Sequence, residues 1–198
     1  HQKHTQTLAI GNVPEELDQM QTDFQHYKAF LSQKWTAPLN HNALIPKDKP
    51  YLTAANFSVP SALFWQLQGF DERLTDAEDF DLAMRASEAH LSIYFLSKAV
   101  AWHEDLVTCK SYIRRLRQYR KAHQALKTIK PQLYAQFNHV EPSAVQGWKK
   151  HVYLFFAQSF WIKLTDGEKL LFLPKKIRYR FYDLLTTALG VYFVDKEI

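Results

Sequence analysis

A single cysteine, Cys109, stands in a chain of 198 residues. No internal disulfide can form, and a reducing compartment is the default setting for a thiol read as a bystander. Glycine is scarce at 5 and proline modest at 8, which excludes collagen-like and low-complexity sequence. With 46% hydrophobic residues the chain is too apolar to be disordered, and it is long enough to bury a core. Near the C-terminus the longest stretches free of Asp, Glu, Lys and Arg, 151–162 and 184–194, run to about a dozen residues, against the roughly 20 that a spanning helix needs. His1 to Gln6 is polar with no apolar stretch behind it, so no signal peptide is expected. A cytoplasmic setting is the expectation. The chain lacks an initiating Met and reads as part of something longer.

Familiar chemistries are missing too. There is no glycine-rich phosphate loop, no CxxC pair, no HExxH and no GxSxG elbow. Eight of the nine histidines (His1, His4, His26, His41, His90, His123, His139 and His151) have no metal-like spacing and read as scattered surface or half-buried side chains. No repeat of 20 to 50 residues is evident.

What the chain does have is an uneven charge. Its net +5 hides a stretch from Leu106 to Val140 with no acid and a charge of +8, leaving −3 for the remainder. This divides the chain near Asp105 into an acidic-leaning part, 1–105, and a basic, aromatic-rich part, 106–198.

Periodicity supplies the elements. Thr7 to Ile10 reads as a strand ending at the Gly11-Asn12 turn. Leu17, Met20, Phe24, Tyr27 and Leu31 mark one face of a helix, with Pro14 near its start and Glu15 and Glu16 in its first turn. Residues 36–50 read as loop. Tyr51 to Phe57 reads as a short strand, and Ser58 as the N-cap of a helix over Pro60–Leu67 that Gly69 closes. Thr75 or Asp76 would cap a helix from about Glu78 to His90. Leu91, Ile93 and Phe95 alternate as in a strand, and Val100 to His103 suggests another. Beyond, Tyr112, Leu116, Tyr119, His123 and Leu126 form a helix face up to Pro131. Val145, Trp148, Val152, Phe155, Ser159 and Ile162 form a second, and a third helix runs from Lys175 to Tyr192. The expected class is α/β, rich in helix.

Four carboxylates, Asp76, Glu78, Asp79 and Asp81, lie within six residues at an expected helix N-terminus. Acids favour a first turn simply because the helix dipole and its free N–H groups stabilise them. Alternatively, one serves as a general base aimed at a hydroxyl. Arg85 lies four residues after Asp81, a spacing that suits a helix-surface ion pair worth about 0.2–0.5 kcal/mol.

The order of neighbouring segments is informative. TAANFSVP at 53–60, GFDERL at 69–74, AEDFDLAMR at 77–85 and WHED at 102–105 follow one another. This series resembles the acceptor-side, galactosyltransferase-like segment of family 2 glycosyltransferases, which have the GT-A fold. The match covers about 51–105 well, 7–50 weakly, and 106–198 mainly by its basic helix. The resemblance implies an inverting glycosyltransferase of the hexosyltransferase kind, moving a sugar from a nucleotide-sugar to a hydroxyl of a glycan or lipid-linked acceptor. It implies Asp79 as general base, with Glu78 beside it in catalysis and in orienting the acceptor. It places Asn56 in the acceptor site, where a plain turn role is the alternative. It makes His103 a ligand of a divalent metal, Mn²⁺ or Mg²⁺, on the donor diphosphate, where a histidine bonded to Glu104 or Asp105 at a strand end is the alternative.

One departure matters. The family's donor-side Asp-x-Asp is not found before Gly11, and Asp79-x-Asp81 lies on the acceptor side. The nucleotide-binding βαβ half is missing as well. The chain is therefore read as needing a donor-binding half, and further metal and nucleotide-sugar ligands, from elsewhere.

The basic stretch 110–130 admits a solvated helix face, contact with anionic lipid at an inner membrane face, aided by the aromatic residues of 148–161 and 175–193, or phosphate contacts to nucleic acid. Nucleic acid ranks last because no recognised module accompanies it. A non-catalytic basic helical module that binds a membrane or a protein partner is the competing reading of the whole chain.

Overall fold

The computed structural model describes residues 6–39, 43–137 and 144–198. His1, His4, His41 and His139 lie outside them. The chain is α/β and rich in helix, and it divides into two units. One holds the described residues of 6–15, 33–103 and 121–137; the other holds 16–32, 104–120 and 144–198.

The first unit is built on a three-stranded sheet. Leu8 and Ile10 point inward from β1 (Thr7–Asn12), and Ile93 and Phe95 from β3 (Ser92–Val100), as period-2 alternation requires. β1 is central and runs parallel to β3 from Thr7↔Ser92 to Gly11↔Leu96. The register then jumps to Asn12↔Val100, so β3 carries extra residues where the pair ends. The short β2 (Phe57–Ser58) pairs antiparallel with Ala9 and Ile10. On the far edge of β3, the Ile45 amide donates to the Ile93 carbonyl (2.9 Å) and the Phe95 amide to Ala43 (2.8 Å).

Ser58 is thus a strand residue, not the expected N-cap. Helix α2 (Ser61–Gln66) starts after Pro60 with no side-chain cap. Gly69 does close it, with a left-handed φ of +65 and an amide donating to Phe64 O at 2.8 Å. Val100 continues β3, so no separate strand runs to His103.

Helix α3 (Glu78–Glu88) presses Leu82, Ala83 and Ala86 onto the sheet with Leu8, Ile10, Leu52, Leu67 and Phe95. Each buried leucine, isoleucine or phenylalanine among them is worth roughly 1.5–3 kcal/mol. Met84, from the same helix, joins a second core with Leu74, Ala122, Leu126, Leu133 and Phe137. Burial on both sides explains why Asp81 is fully enclosed.

The second unit is helical. Helix α1 (Asp23–Thr36) starts well after Pro14, which corrects the expected start. The chain first makes a 3-10 turn at Leu17–Gln19. The start is fixed by reciprocal bonds: the Gln25 amide donates to Thr22 Oγ1 (3.3 Å) and the Thr22 amide to Gln25 Oε1 (3.1 Å). Helix α4 (Cys109–Ile129) is continuous, but its core residues are Cys109 and Ile113 in the second unit and Ala122 and Leu126 in the first. The expected face through Tyr112 and Tyr119 is therefore misaligned, and Tyr119 is exposed. Pro131 opens a short α5 (Pro131–Ala135) rather than only ending α4.

The helix expected across 145–162 is two: α6 (Gly147–Phe156) and α7 (Ser159–Asp166). At the break, Gln158 Nε2 donates to Leu154 O (2.9 Å) and Trp161 Nε1 to Phe155 O (2.8 Å), satisfying carbonyls that the interrupted helix leaves free. Helix α8 (Lys175–Thr187) ends in a π-turn, Ala188–Tyr192. Asp166 accepts the Cys109 amide at 2.6 Å and so caps α4; burial pushes the Cys109 thiol well up, out of its reactive range.

Phe24, Tyr27, Tyr179 and Tyr182 form the aromatic centre of this unit, with Phe24 and Tyr182 5.5 Å apart. Their polar tips are satisfied: Tyr27 donates to Asp183 (2.6 Å) and Tyr182 to Asp23 (2.9 Å), while Arg178 grips Asp23 through two nitrogens at 2.7 Å. Burial alone would raise Asp23, but the bonds from Arg178 and Tyr182 outweigh it and hold the carboxyl below its usual range. In the first unit, Arg73 and then Lys130 hold Asp71 far below that range. Both shifts lower the folded value, so the folded state binds fewer protons and their stabilisation is complete above the unfolded value near 3.8. It drains away as pH falls further. Urea midpoints measured against pH should be steady near neutrality and drop below about pH 4; the Asp23→Asn variant should lose part of that acid dependence.

Candidate acceptor site at the strand ends

Parallel strands bring their C-terminal ends to one edge, and ligands in α/β folds favour that edge. Here the ends of β1 and β3 place Asn12–Glu15 beside 100–103. The His103 amide donates to Pro14 O at 2.9 Å, and Glu15 and His103 form an isolated parallel bridge. Glu15, expected in a first helical turn, is instead buried at this edge.

Asn56 ties the edge together. Its Nδ2 donates to Ala99 O (2.9 Å) and Asn12 O (3.2 Å), and its carbonyl accepts the Gly11 amide (2.9 Å). Both side-chain N–H groups are spent on backbone, so only the amide oxygen remains to meet a ligand. Glycine is required at 11, because a Cβ there would run into Asn56 Nδ2 and Ala99 O. Gly11→Ala should cost about 1–3 kcal/mol through overpacking, read as a lower urea midpoint.

Asp79, the second residue of α3, reaches the same turn at Ala54, two residues before Asn56. Its Oδ2 accepts the Ala54 amide at 2.9 Å and its Oδ1 accepts the Phe80 amide at 2.7 Å. A carboxylate offers about four lone-pair sites, so two remain for a hydroxyl. Asp79 and Glu78 are half-buried at the start of α3. That start differs from expectation: the N-cap is Ala77, in the left-handed region at φ 64, with no side-chain cap. Asp76 accepts the Ala77 amide itself at 3.0 Å. A non-glycine residue held there costs of order 1 kcal/mol.

Behind the site lies an ion network. Asp81 is fully buried and receives Arg85 Nη2 (2.7 Å) and Lys130 Nζ (2.7 Å); Lys130 also reaches Asp71 (2.9 Å), which holds Arg73 (2.7 Å). Arg85 donates further to the Leu67 and Gly69 carbonyls. The Asp81–Arg85 pair is therefore not the weak surface pair that its spacing suggests. It binds the GFDERL turn to the helix carrying Asp79.

Two further side chains belong to this unit's surroundings of Asp79 and His103, neither of them assigned a site role from the sequence. His123, on α4, lies half-buried with its ring 4.8 Å from Phe80. Burial lowers its pKa, while Asp79 and Asp76 pull the other way. Its sequence distance from Asp79 left no signal to find it by. Trp102, adjacent to His103 in WHED, is 63% exposed, and an aromatic in a short motif carries no sign of its exposure.

Two surface hollows of this unit, one lined by Gln66, Leu67, Arg85 and Glu88, the other by Glu88, Lys130 and Leu133, include none of Asn56, Glu78, Asp79 and His103. Among the described residues no group of three or more His, Cys, Asp or Glu could hold a metal ion. His103 is a single candidate ligand, and the further ligands of the expected metal lie outside that set. Compared with known proteins, the chain matches no family model, no curated protein and no solved structure.

Proposed function

We propose that the chain supplies the acceptor side and general base of an inverting glycosyltransferase of the GT-A kind. The observation that carries the reading is the Asp79–Ala54 hydrogen bond, which fastens the candidate base to the turn whose Asn56 joins the ends of β1 and β3. Catalytic groups at the C-terminal ends of parallel strands suit that arrangement.

In this mechanism the acceptor hydroxyl binds the open lone pairs of Asp79 and loses its proton to that carboxylate as its oxygen attacks the anomeric carbon. The bond from that carbon to the diphosphate oxygen breaks, and the nucleoside diphosphate leaves with the electron pair. Attack opposite the leaving group inverts the anomeric configuration. Glu78 and the Asn56 oxygen orient the acceptor, and Trp102 offers an exposed face for its ring. The donor-binding half, with the metal ligands that would join His103, comes from outside this chain. Proximity accounts for roughly 7–11 kcal/mol of such a barrier, so residues 1–198 alone should transfer no sugar. The test supplies a donor-binding half in trans and looks for acceptor-dependent release of nucleoside diphosphate; transfer by the isolated chain would contradict this division of labour.

A further inference from the structure

From the sequence, lipid contact centres on the charge of 110–130, with the aromatic residues of 148–161 and 175–193 assisting, but the folded chain uses part of that charge internally. Arg117 donates to Leu189 O and Lys196 O, both at 2.9 Å, and Arg120 to Val191 O. These guanidiniums close the π-turn after α8. A different surface of the same unit has the makings of a membrane face. Trp148 is 72% exposed and Phe155, seven residues on and so on the same side of α6, is 57% exposed. Phe155 packs on Trp161 (5.1 Å), and Trp161 on both Phe160 (4.9 Å) and Phe181 (5.1 Å). Ile177, one turn before Phe181 on α8, is again exposed. The ring contacts thus join α6, α7 and α8 through Phe155, Trp161 and Phe181, with Trp148, Phe155, Phe160 and Ile177 exposed on the three helices.

Cations neighbour these residues along the chain. Between 144 and 182 there are eight Lys or Arg and two acids, Asp166 and Glu168. Both acids are committed to backbone amides, Asp166 to Cys109 and Glu168 to Asp23. Lys149 and Lys150 on α6, Lys163 on α7, and Lys176 and Arg180 on α8 are exposed beside the aromatic residues. No helix among the described residues is long and apolar enough to cross a membrane. Short helices with one aromatic face and flanking Lys or Arg suit a position in the plane of the interface instead. Charge complementarity selects the occupant: we infer that the α6–α8 face of this unit docks on an anionic lipid surface, with Trp148, Phe155 and Phe160 entering the headgroup region. The inference does not depend on the proposed catalysis, and its readout needs no transfer.

The test is sedimentation of the full chain with vesicles of phosphatidylcholine, and of phosphatidylcholine and phosphatidylglycerol in equal parts. Strong binding to the anionic vesicles, weakened by salt, is expected. A variant carrying Trp148→Ser, Phe155→Ser and Phe160→Ser should bind them on the order of 100-fold more weakly. These side chains are exposed, so its circular dichroism should match the parent. A second variant, Lys149→Gln with Lys176→Gln, should lose about fivefold per cation on anionic vesicles and nothing on neutral ones. Undiminished binding by the aromatic variant, or no preference of the parent for anionic lipid, overturns the inference. So does self-association that the aromatic variant abolishes while the parent ignores vesicles, which would assign the face to a second copy of the chain.

Discussion

Replacing Asp81 with Ala is expected to lower the stability of the first unit by about 3–5 kcal/mol, the range for breaking a buried ion pair on one side. The carboxylate is fully enclosed and takes charge-assisted bonds from Arg85 and Lys130 at 2.7 Å each. Its removal leaves two cations in a low-dielectric interior. Lys130 would keep Asp71, and Arg85 its two carbonyls, so neither is wholly stranded. Even so, each would lose its best-buried counter-charge. Urea unfolding measures the loss, and a second change, Arg85→Met, should restore part of it by removing the cation left with carbonyls and no carboxylate. A loss under about 1 kcal/mol would show that the network is as weak as a solvent-exposed pair.

The second large effect is kinetic. With the donor-binding half supplied, Asp79→Asn should lower kcat by about 10²–10⁴-fold, the usual contribution of a general base. Asparagine keeps the shape and one oxygen to accept the Ala54 amide, so the turn at 53–56 should hold, while the bond from the Phe80 amide is lost at a cost of about 0.5–1.5 kcal/mol. Stability should therefore change far less than in the Asp81 variant. The contrast between two carboxylates two residues apart separates chemistry from scaffolding. Near-normal turnover in the Asp79→Asn enzyme would remove Asp79 from the mechanism.

The sequence showed some of this and hid the rest for physical reasons. Alternation made the inward side chains of β1 and β3 readable, because one face of each is buried. Only the fold pairs them in parallel and brings the Gly11 and Ala99 backbones together around Asn56. The start of α1 was misplaced although Thr22-x-x-Gln25 spells a capping box, because the apolar spacing from Leu17 ran on without a break. The face of α4 was misjudged because the helix serves two cores in turn, which no single period can describe. The division near Asp105 lies close to one break between the units, but 16–32 and 121–137 cross it, held by packing rather than by local charge. Asp79 was singled out by its neighbours in sequence; His123 reaches its surroundings only through the return of α4.

The measurement that bears most directly on the central claim is the fate of a labelled sugar. A nucleotide-sugar labelled in its sugar ring, a hydroxyl acceptor and the chain with its donor-binding half are incubated together, and the product's anomeric configuration is read by NMR. The account predicts label on the acceptor with the configuration inverted, and none with Asp79→Asn. Retention of configuration, or equal transfer by the Asp79→Asn variant, would contradict it.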